Sequence, residues 1–271
     1  MDQLRDKTAV VTGGGSGIGR ALVLAFAGEG MNTVVADIEA GPAEAVAGEA
    51  RAKGVKALAI TCDVSSRASV GALADAAFAG FGHVDLLCNN AGVVTFHPAQ
   101  QMKDSDWDWV IAVDLLGVVH GVEAFLPRML KQGTGGHIVN TASIAGMVAG
   151  AAPGISSYTT AKYGVVGLSE SLRPELAANN IGVSVLCPGG VKTQIFSAER
   201  NRPAEYGGPS EPPAALAGGI QAGMEPADVA ALVLRAVKEN QLYVMTHQDT
   251  RAAVEARFKA IMDAYDWAAR D

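Results

Sequence analysis

The feature that most constrains this chain is a rhythm of short β-branched runs, each separated from the next by a longer helical stretch. Six such runs read KTAVVTG, TVVADI, KALAITCDV, VDLLCNNAG, GGHIVNTAS and IGVSVLCPGG, and another, QLYVMTH, follows the helical segment PADVAALVLRAVKEN. Strands that alternate regularly with helices form a parallel sheet covered on both faces. The expected architecture is therefore α/β and doubly wound, with about seven parallel strands flanked by helices. Helices are expected over Gly17–Gly30, Ala40–Lys53, Asp104–Leu130 and Ser156–Asn179, and from Thr250 to the end. One segment breaks the rhythm: Ser197–Gly219 is rich in Pro, Gly and charge, the composition of a lid or a connection.

With 49% hydrophobic residues, a chain of 271 residues builds one large core, so residues 1–271 are expected to form a single domain. A net charge of −7 without a dense Lys/Arg run argues against a nucleic-acid partner, because phosphate neutralisation needs a clustered basic surface. No uninterrupted apolar run reaches the length of a membrane span, and MDQLRDKTAVVTGGG lacks the apolar core of a secretory signal. Cys62, Cys88 and Cys187 are odd in number and widely spaced, with no CxxC pair. They read as reduced core residues of a cytoplasmic protein, and no metal site is expected.

The stretch VVTGGGSGIGR follows the first strand and opens a helix, with glycines spaced Thr12-Gly13-x-x-x-Gly17-x-Gly19. Glycine there lets the backbone approach a pyrophosphate, and the helix start, with Ser16 and Ile18, offers free N–H groups and a partial positive charge. Asp37 closes the second strand, where a carboxylate accepts hydrogen bonds from the adenosine ribose and repels a 2′-phosphate. The cofactor expected from this pair of features is NAD rather than NADP, and no Arg or Lys at Ser16 or Ile38 offsets the acid.

The glycine loop, Asn89-Asn90-Ala91-Gly92, Ser143, Tyr158-x-x-x-Lys162 and Pro188-Gly189-Gly190 stand in this order along nearly the whole chain, which in this resembles the classical short-chain dehydrogenase/reductases. The resemblance implies a Rossmann-type fold and a homo-oligomer, commonly a tetramer, with Glu123 and Glu175 on helices that would meet a second subunit. It also implies that Asp63 and Val64 lie against the adenine and that Asn90, Ala91 and Gly92 wall the ribose. Pro188, Gly189, Val191 and Thr193 would hold the nicotinamide end, and Tyr158 and Lys162 would contact it as well.

Tyr158 and Lys162 sit one helical turn apart, on one face. A free phenol has a pKa near ~10 and is a poor base at neutral pH, but a cation one turn away favours the phenolate, and the positive nicotinamide ring adds to it. Tyr158 then serves as general base toward an alcohol, or as the acid in the reverse direction, while Ser143 steadies the substrate oxygen. Asp114 stands where the family usually has asparagine in its long helix, and is expected to act in a proton relay beside Lys162 or to be structural. Ser143 and Tyr158 lie fifteen positions apart, slightly more than the family spacing, with the excess in GAAPGIS. Ser156 and Ser157 read as helix-start residues.

The remaining candidates are weaker. His97 is expected on the surface or packed rather than in the substrate pocket, Trp107 and Trp109 are expected to pack, and His120 and His137 have no ligand partners at metal spacing. A lid over Thr193–Gly219, with Ile195, Phe196, Val93, Val94 and Met147, implies a mostly hydrophobic alcohol or ketone as substrate. The alternatives are an NADPH-dependent carbonyl reductase and a catalytically silent NAD-sensing or scaffold protein. The run RAAVEARFKAIMDAYDWAAR is amphipathic and is expected to pack in the core or against another subunit.

Overall fold

The computed structural model describes residue 1 and residues 3–150, 152–210 and 222–269. Seven parallel strands lie in the order β3-β2-β1-β4-β5-β6-β7. They are β1 (Thr8–Thr12), β2 (Asn32–Asp37), β3 (Ala57–Thr61), β4 (Leu86–Asn89), β5 (Gly136–Thr141), β6 (Ile181–Cys187) and β7 (Tyr243–Met245). The order reverses between β1 and β4, so the crevice at the carboxyl ends of those strands is the natural ligand site of the sheet.

Alternate residues of each strand serve opposite faces. Ala9, Val11 and Val35 point to a layer built from α1 (Gly17–Gly28), α2 (Ala40–Arg51) and α7 (Pro226–Glu239). Val10, Val34, Leu87 and Ile138 point to α3 (Arg67–Phe81), the long helix and α6 (Ser156–Leu176). Phe26 on one side and Phe125 on the other are fully buried, each worth about 1.5–3 kcal/mol of transfer free energy.

The expected helices are present, most with shorter ends, while the one expected over Asp104–Leu130 runs on to Gln132. α1 stops at Gly28 because Gly30 turns the chain with a φ of 84°. The long helix runs from α4 (Asp104–Ile111) through a π turn (Ala112–Leu116) into α5 (Gly117–Gln132). At 29 residues it is long and apolar enough to cross a membrane, yet Trp109, Val110, Phe125 and Met129 bury one side of it in the core. Of the expected lid, residues 211–219 lie outside the described residues, and the rest holds 3-10 turns at Ile195–Asn201 and Ala204–Tyr206. Of the two packings expected for helix α8 (Arg251–Ala268), the core is not the one seen: none of its residues is buried, and Val254 alone is packed against a buried cluster.

The β1–α1 turn has no spare volume. A Cβ on Gly19 would stand 2.0 Å from the Gly13 carbonyl oxygen and 2.7 Å from the Asn90 amide nitrogen. Gly19→Ala is therefore expected to lower stability by about 1–3 kcal/mol or more in urea denaturation. Gly28→Ala, with open space around its Cβ, should leave stability unchanged or raise it.

Candidate active site

The cleft at the carboxyl ends of the strands begins with the glycine loop. Gly13 has a φ of 62° and its Cβ would meet the Ala91 Cα at 2.8 Å, so only glycine lets β1 and β4 close together there. At the start of α1, Ser16 makes no side-chain cap, which leaves the first N–H groups open to a pyrophosphate. Asp37 accepts Gly15 N–H at 2.8 Å and Glu39 N–H at 3.0 Å, and each oxygen keeps a lone pair for ribose hydroxyls. These residues fit a dinucleotide.

One continuous cleft brings together Gly13, Ser16, Gly17, Ile18, Gly19, Asp37, Asp63, Val64, Asn90, Ala91, Gly92, Tyr158, Lys162, Pro188 and Thr193. Three of the expected cofactor residues stand behind its wall. Thr12 is buried and its Oγ1 accepts the backbone N–H groups of Asn90 (2.9 Å) and Ala91 (3.2 Å), so it clamps the β1 and β4 turns together. Val191 is buried in a bridge to Met224, and Gly189 is turned toward His247.

The polar end of the cleft is set on α6. A buried ladder positions that helix: Asn89 donates to Asn140 (2.9 Å), Asn140 to Ser169 (3.0 Å) and Ser169 to the Val165 carbonyl (2.7 Å), tying β4, β5 and α6 together. Gly146, after Ser143, packs so closely that its Cβ would meet the Lys162 carbonyl at 2.6 Å. Despite the extra residues before it, Tyr158 stands close enough to Ser143 for that side chain to favour the phenolate, while Ser143 Oγ accepts Ala145 N–H at 3.1 Å. Lys162 Nζ lies 5.3 Å from the Tyr158 ring centre, donates to the Thr141 carbonyl at 3.1 Å and stands 3.2 Å from Asp114 Oδ2.

Asp114 is fully buried in the π turn, and its Oδ1 accepts Val93 N–H at 2.7 Å. π turns are frequent at functional sites, and this one seats a carboxylate against Lys162. Burial raises the Asp114 pKa although the ammonium opposes it. Burial works against the Lys162 charge too, but Asp114 and Tyr158 outweigh it and hold the ammonium protonated.

Burial of the phenol is the largest influence on the Tyr158 pKa and raises it; Lys162 lowers it, as expected, and the nearby Asp114 carboxylate raises it again.

Several contributors escaped the sequence reading. Arg200 crosses the mouth of the cleft to Glu39 at 2.6 Å, joining the lid segment to the end of β2. Trp109, expected only to pack, also lines the cleft, under the guanidinium of Arg202 at 5.2 Å. Arg202 in turn is buried with Asp106 at 2.7 Å and so anchors the lid. His247 Nδ1 accepts Gly189 N–H at 3.2 Å, and its Nε2 stands 3.0 Å from the Gly190 carbonyl, bracing the Pro188-Gly189-Gly190 turn. Only Glu39, two residues after Asp37, had a local signal; Arg200 is 161 positions away from it.

The other residues fall as follows. Val94, Ile195 and Phe196 share an apolar cluster with Tyr158, whereas Met147 packs with Val118 and Val166 in a separate one. His97 is partly exposed, 3.9 Å from Asp106. His120 is buried against the Val64 carbonyl, and His137 bonds Ser184 with its pKa pulled down to about 3 by burial, so both are satisfied core residues. Cys62, Cys88 and Cys187 are free and buried.

A family model described as short chain dehydrogenase matches residues 7–204. The chain belongs to the short-chain dehydrogenase/reductase family. It is 36% identical to a C alpha-dehydrogenase of Sphingobium sp. (strain NBRC 103272 / SYK-6), over 97% of this chain and 88% of the relative. It is 34% identical to a 1-deoxy-11-beta-hydroxypentalenate dehydrogenase of Streptomyces exfoliatus, over 94% and 88%. Among solved structures, a family member from Burkholderia phymatum in complex with NAD superposes with a TM-score of 0.90 at 39% identity, covering 97% of this chain and 96% of that one. The chain is thus an oxidoreductase by family, with the Rossmann-type sheet expected of it.

Truncating Asp114 strands a buried ammonium. Asp114→Ala is expected to cost about 3–5 kcal/mol in urea denaturation. Asp114→Asn, which still accepts Val93 N–H, should cost clearly less.

Proposed function

We propose that this chain is an NAD-dependent dehydrogenase that interconverts a secondary alcohol and a ketone by direct hydride transfer, acting on a mostly hydrophobic substrate. The observation that carries the reading is that Tyr158 and Lys162 line one end of a dinucleotide-shaped cleft, with the Ser143 side chain beside the phenol. The nicotinamide cofactor, when bound, supplies the hydride acceptor or donor. Gly13, Gly17 and Gly19 with the α1 N-terminus would hold its pyrophosphate, Asp37 its adenosine ribose, and Asp63 and Val64 its adenine. Asn90, Ala91, Gly92, Pro188 and Thr193 would line its remaining length.

In oxidation, the substrate hydroxyl proton passes to Tyr158 as the carbon gives up its hydride. Ser143, beside the phenol, holds the substrate oxygen where the negative charge develops. Lys162 spends one N–H on Thr141 and points another toward Asp114, leaving a third for the nicotinamide ribose. Asp114 fixes the ammonium and offers the next acceptor along a proton path. The apolar wall of Val94, Ile155, Ile195 and Phe196 supports a hydrophobic substrate. The names of the relatives, a C alpha-dehydrogenase and a hydroxypentalenate dehydrogenase, agree with an alcohol oxidised at a carbon skeleton. Three buried thiols suit the reducing cytoplasm, and family likeness supports a homo-oligomer such as a tetramer.

A second reading, the NADPH-dependent carbonyl reductase, is favoured by one observation: Arg200 lies at the adenosine end, where a 2′-phosphate would sit, though Glu39 engages it. The two readings separate in an assay of purified protein with NAD and with NADP across secondary alcohols. NAD-dependent turnover is expected, falling about 10²–10⁴-fold in Tyr158→Phe. Preference for NADP sinks the NAD assignment, and tight NADH binding without turnover favours the silent sensor. Asp37→Ser with Glu39→Gln should free Arg200 and raise NADP use at least about tenfold, the worth of one modest ionic contact.

Oxidation needs the phenolate, so kcat/KM should rise with pH through the Tyr158 pKa. That pKa is raised by burial, lowered by Lys162 and raised by Asp114. Asp114→Asn removes a negative charge that opposes the phenolate, and the acid limb of the profile is expected to move to lower pH. An unmoved limb would make Asp114 a structural residue only.

A further inference from the structure

Helix α8 carries an apolar stripe that the described residues leave uncovered. Phe258 is 50% exposed, Ile261 42%, Met262 62% and Tyr265 69%. Among the described residues, only its first turns are packed against the rest of the chain. Val254 packs on the cluster of Val118, Val165 and Val185, and Arg257 lies 5.0 Å over the Tyr163 ring. Beyond Arg257 no residue of α8 belongs to any of the buried clusters. A helix of this length is marginal in water without a packed face, and an exposed apolar stripe of this size marks an interaction surface.

The spacing of the stripe says what covers it. Val254, Phe258, Ile261, Tyr265 and Ala268 follow one another at steps of four, three, four and three, which is the a/d seam of a paired helix. We infer that α8 pairs antiparallel with α8 of a second copy of this chain, about a two-fold axis. In that arrangement Phe258 faces the partner's Ile261 and Val254 faces the partner's Tyr265, so every layer sets an a position against a d position.

Charge selects the same direction. The first half of the helix carries Arg251, Arg257 and Lys259 against one acid, Glu255, while the second half carries Asp263 and Asp266 and, up to Ala268, no base. Antiparallel pairing lays the basic half over the acidic half twice; parallel pairing would align like with like. The contact is isologous and closed, so it ends at two copies and does not propagate. An anionic membrane surface is a poorer occupant, because the exposed half of the helix is acidic.

The experiment is sedimentation of the full chain at micromolar concentration beside a Phe258→Glu, Ile261→Glu variant. Both residues are exposed and touch nothing in the cleft, so the variant should keep its circular dichroism and urea midpoint. Its mass is expected to fall to half that of the unmodified chain. An unchanged mass, or an unmodified chain that sediments as a monomer, overturns the inference. Val254→Cys and Tyr265→Cys, made as two separate variants, check the direction, since the native thiols are buried. Mild oxidation of the two mixed together should give a disulfide-linked pair on a non-reducing gel, and neither variant alone should. A mixture that keeps the wild-type mass and fails to cross-link, or a single variant that cross-links to itself, overturns the antiparallel seam. None of these readouts depends on the proposed reaction.

Discussion

The cleft is organised around one buried cation. Lys162 is almost wholly out of water, and an ammonium in that position must be paired or lose its proton. Its two named partners come from different parts of the fold, the Thr141 carbonyl at the end of β5 and Asp114 from the long helix. Meeting both requires α6, β5 and the long helix to lie at fixed distances, and the close packing of Gly146 on the Lys162 carbonyl and of Gly92 beside Nζ shows how little slack remains. The π turn is part of this arrangement. It seats Asp114 so that one oxygen takes Val93 N–H while the other faces the ammonium, joining the turn after β4 to α6 through a single side chain.

The lid is held by ionic contacts of two kinds, and their burial decides their strength. Arg202 and Asp106 are buried, with Asp106 also accepting Lys103 N–H at 2.9 Å, so removing either leaves a buried charge without its counter-ion. Arg200 and Glu39 are partly exposed, and such a pair is worth roughly 0–1 kcal/mol. The segment after β6 thus has a firm anchor near Trp109 and a weak clasp at Glu39, across the mouth of the cleft.

Much of this was legible in the sequence because the informative signals are local. The strand runs, the glycine loop and Asp37 each occupy a few consecutive residues, and Tyr158 and Lys162 are one turn apart. What was not legible depends on long-range contact. Nothing near Thr12 says that its hydroxyl is spent on the β4 turn, nothing near Gly189 announces His247, and Arg200 finds Glu39 only after the chain has folded. The terminal helix was read correctly as amphipathic, but periodicity alone does not say whether an apolar face meets its own core or another chain. Tyr158 shows the same limit in energy rather than position: the favourable cation is written in the sequence, whereas burial is not.

That last discrepancy bears on how the site would work. Burial and Asp114 raise the Tyr158 pKa against the opposing pull of Lys162 and Ser143. In the proposed reaction a neutral phenol is the proton donor for ketone reduction, and alcohol oxidation would draw on a further positive charge near the phenol, which the oxidised nicotinamide ring would supply. Asp114 deepens that dependence relative to an uncharged side chain in the same place, because it withdraws part of the lysine's effect on the phenol while fixing the lysine itself.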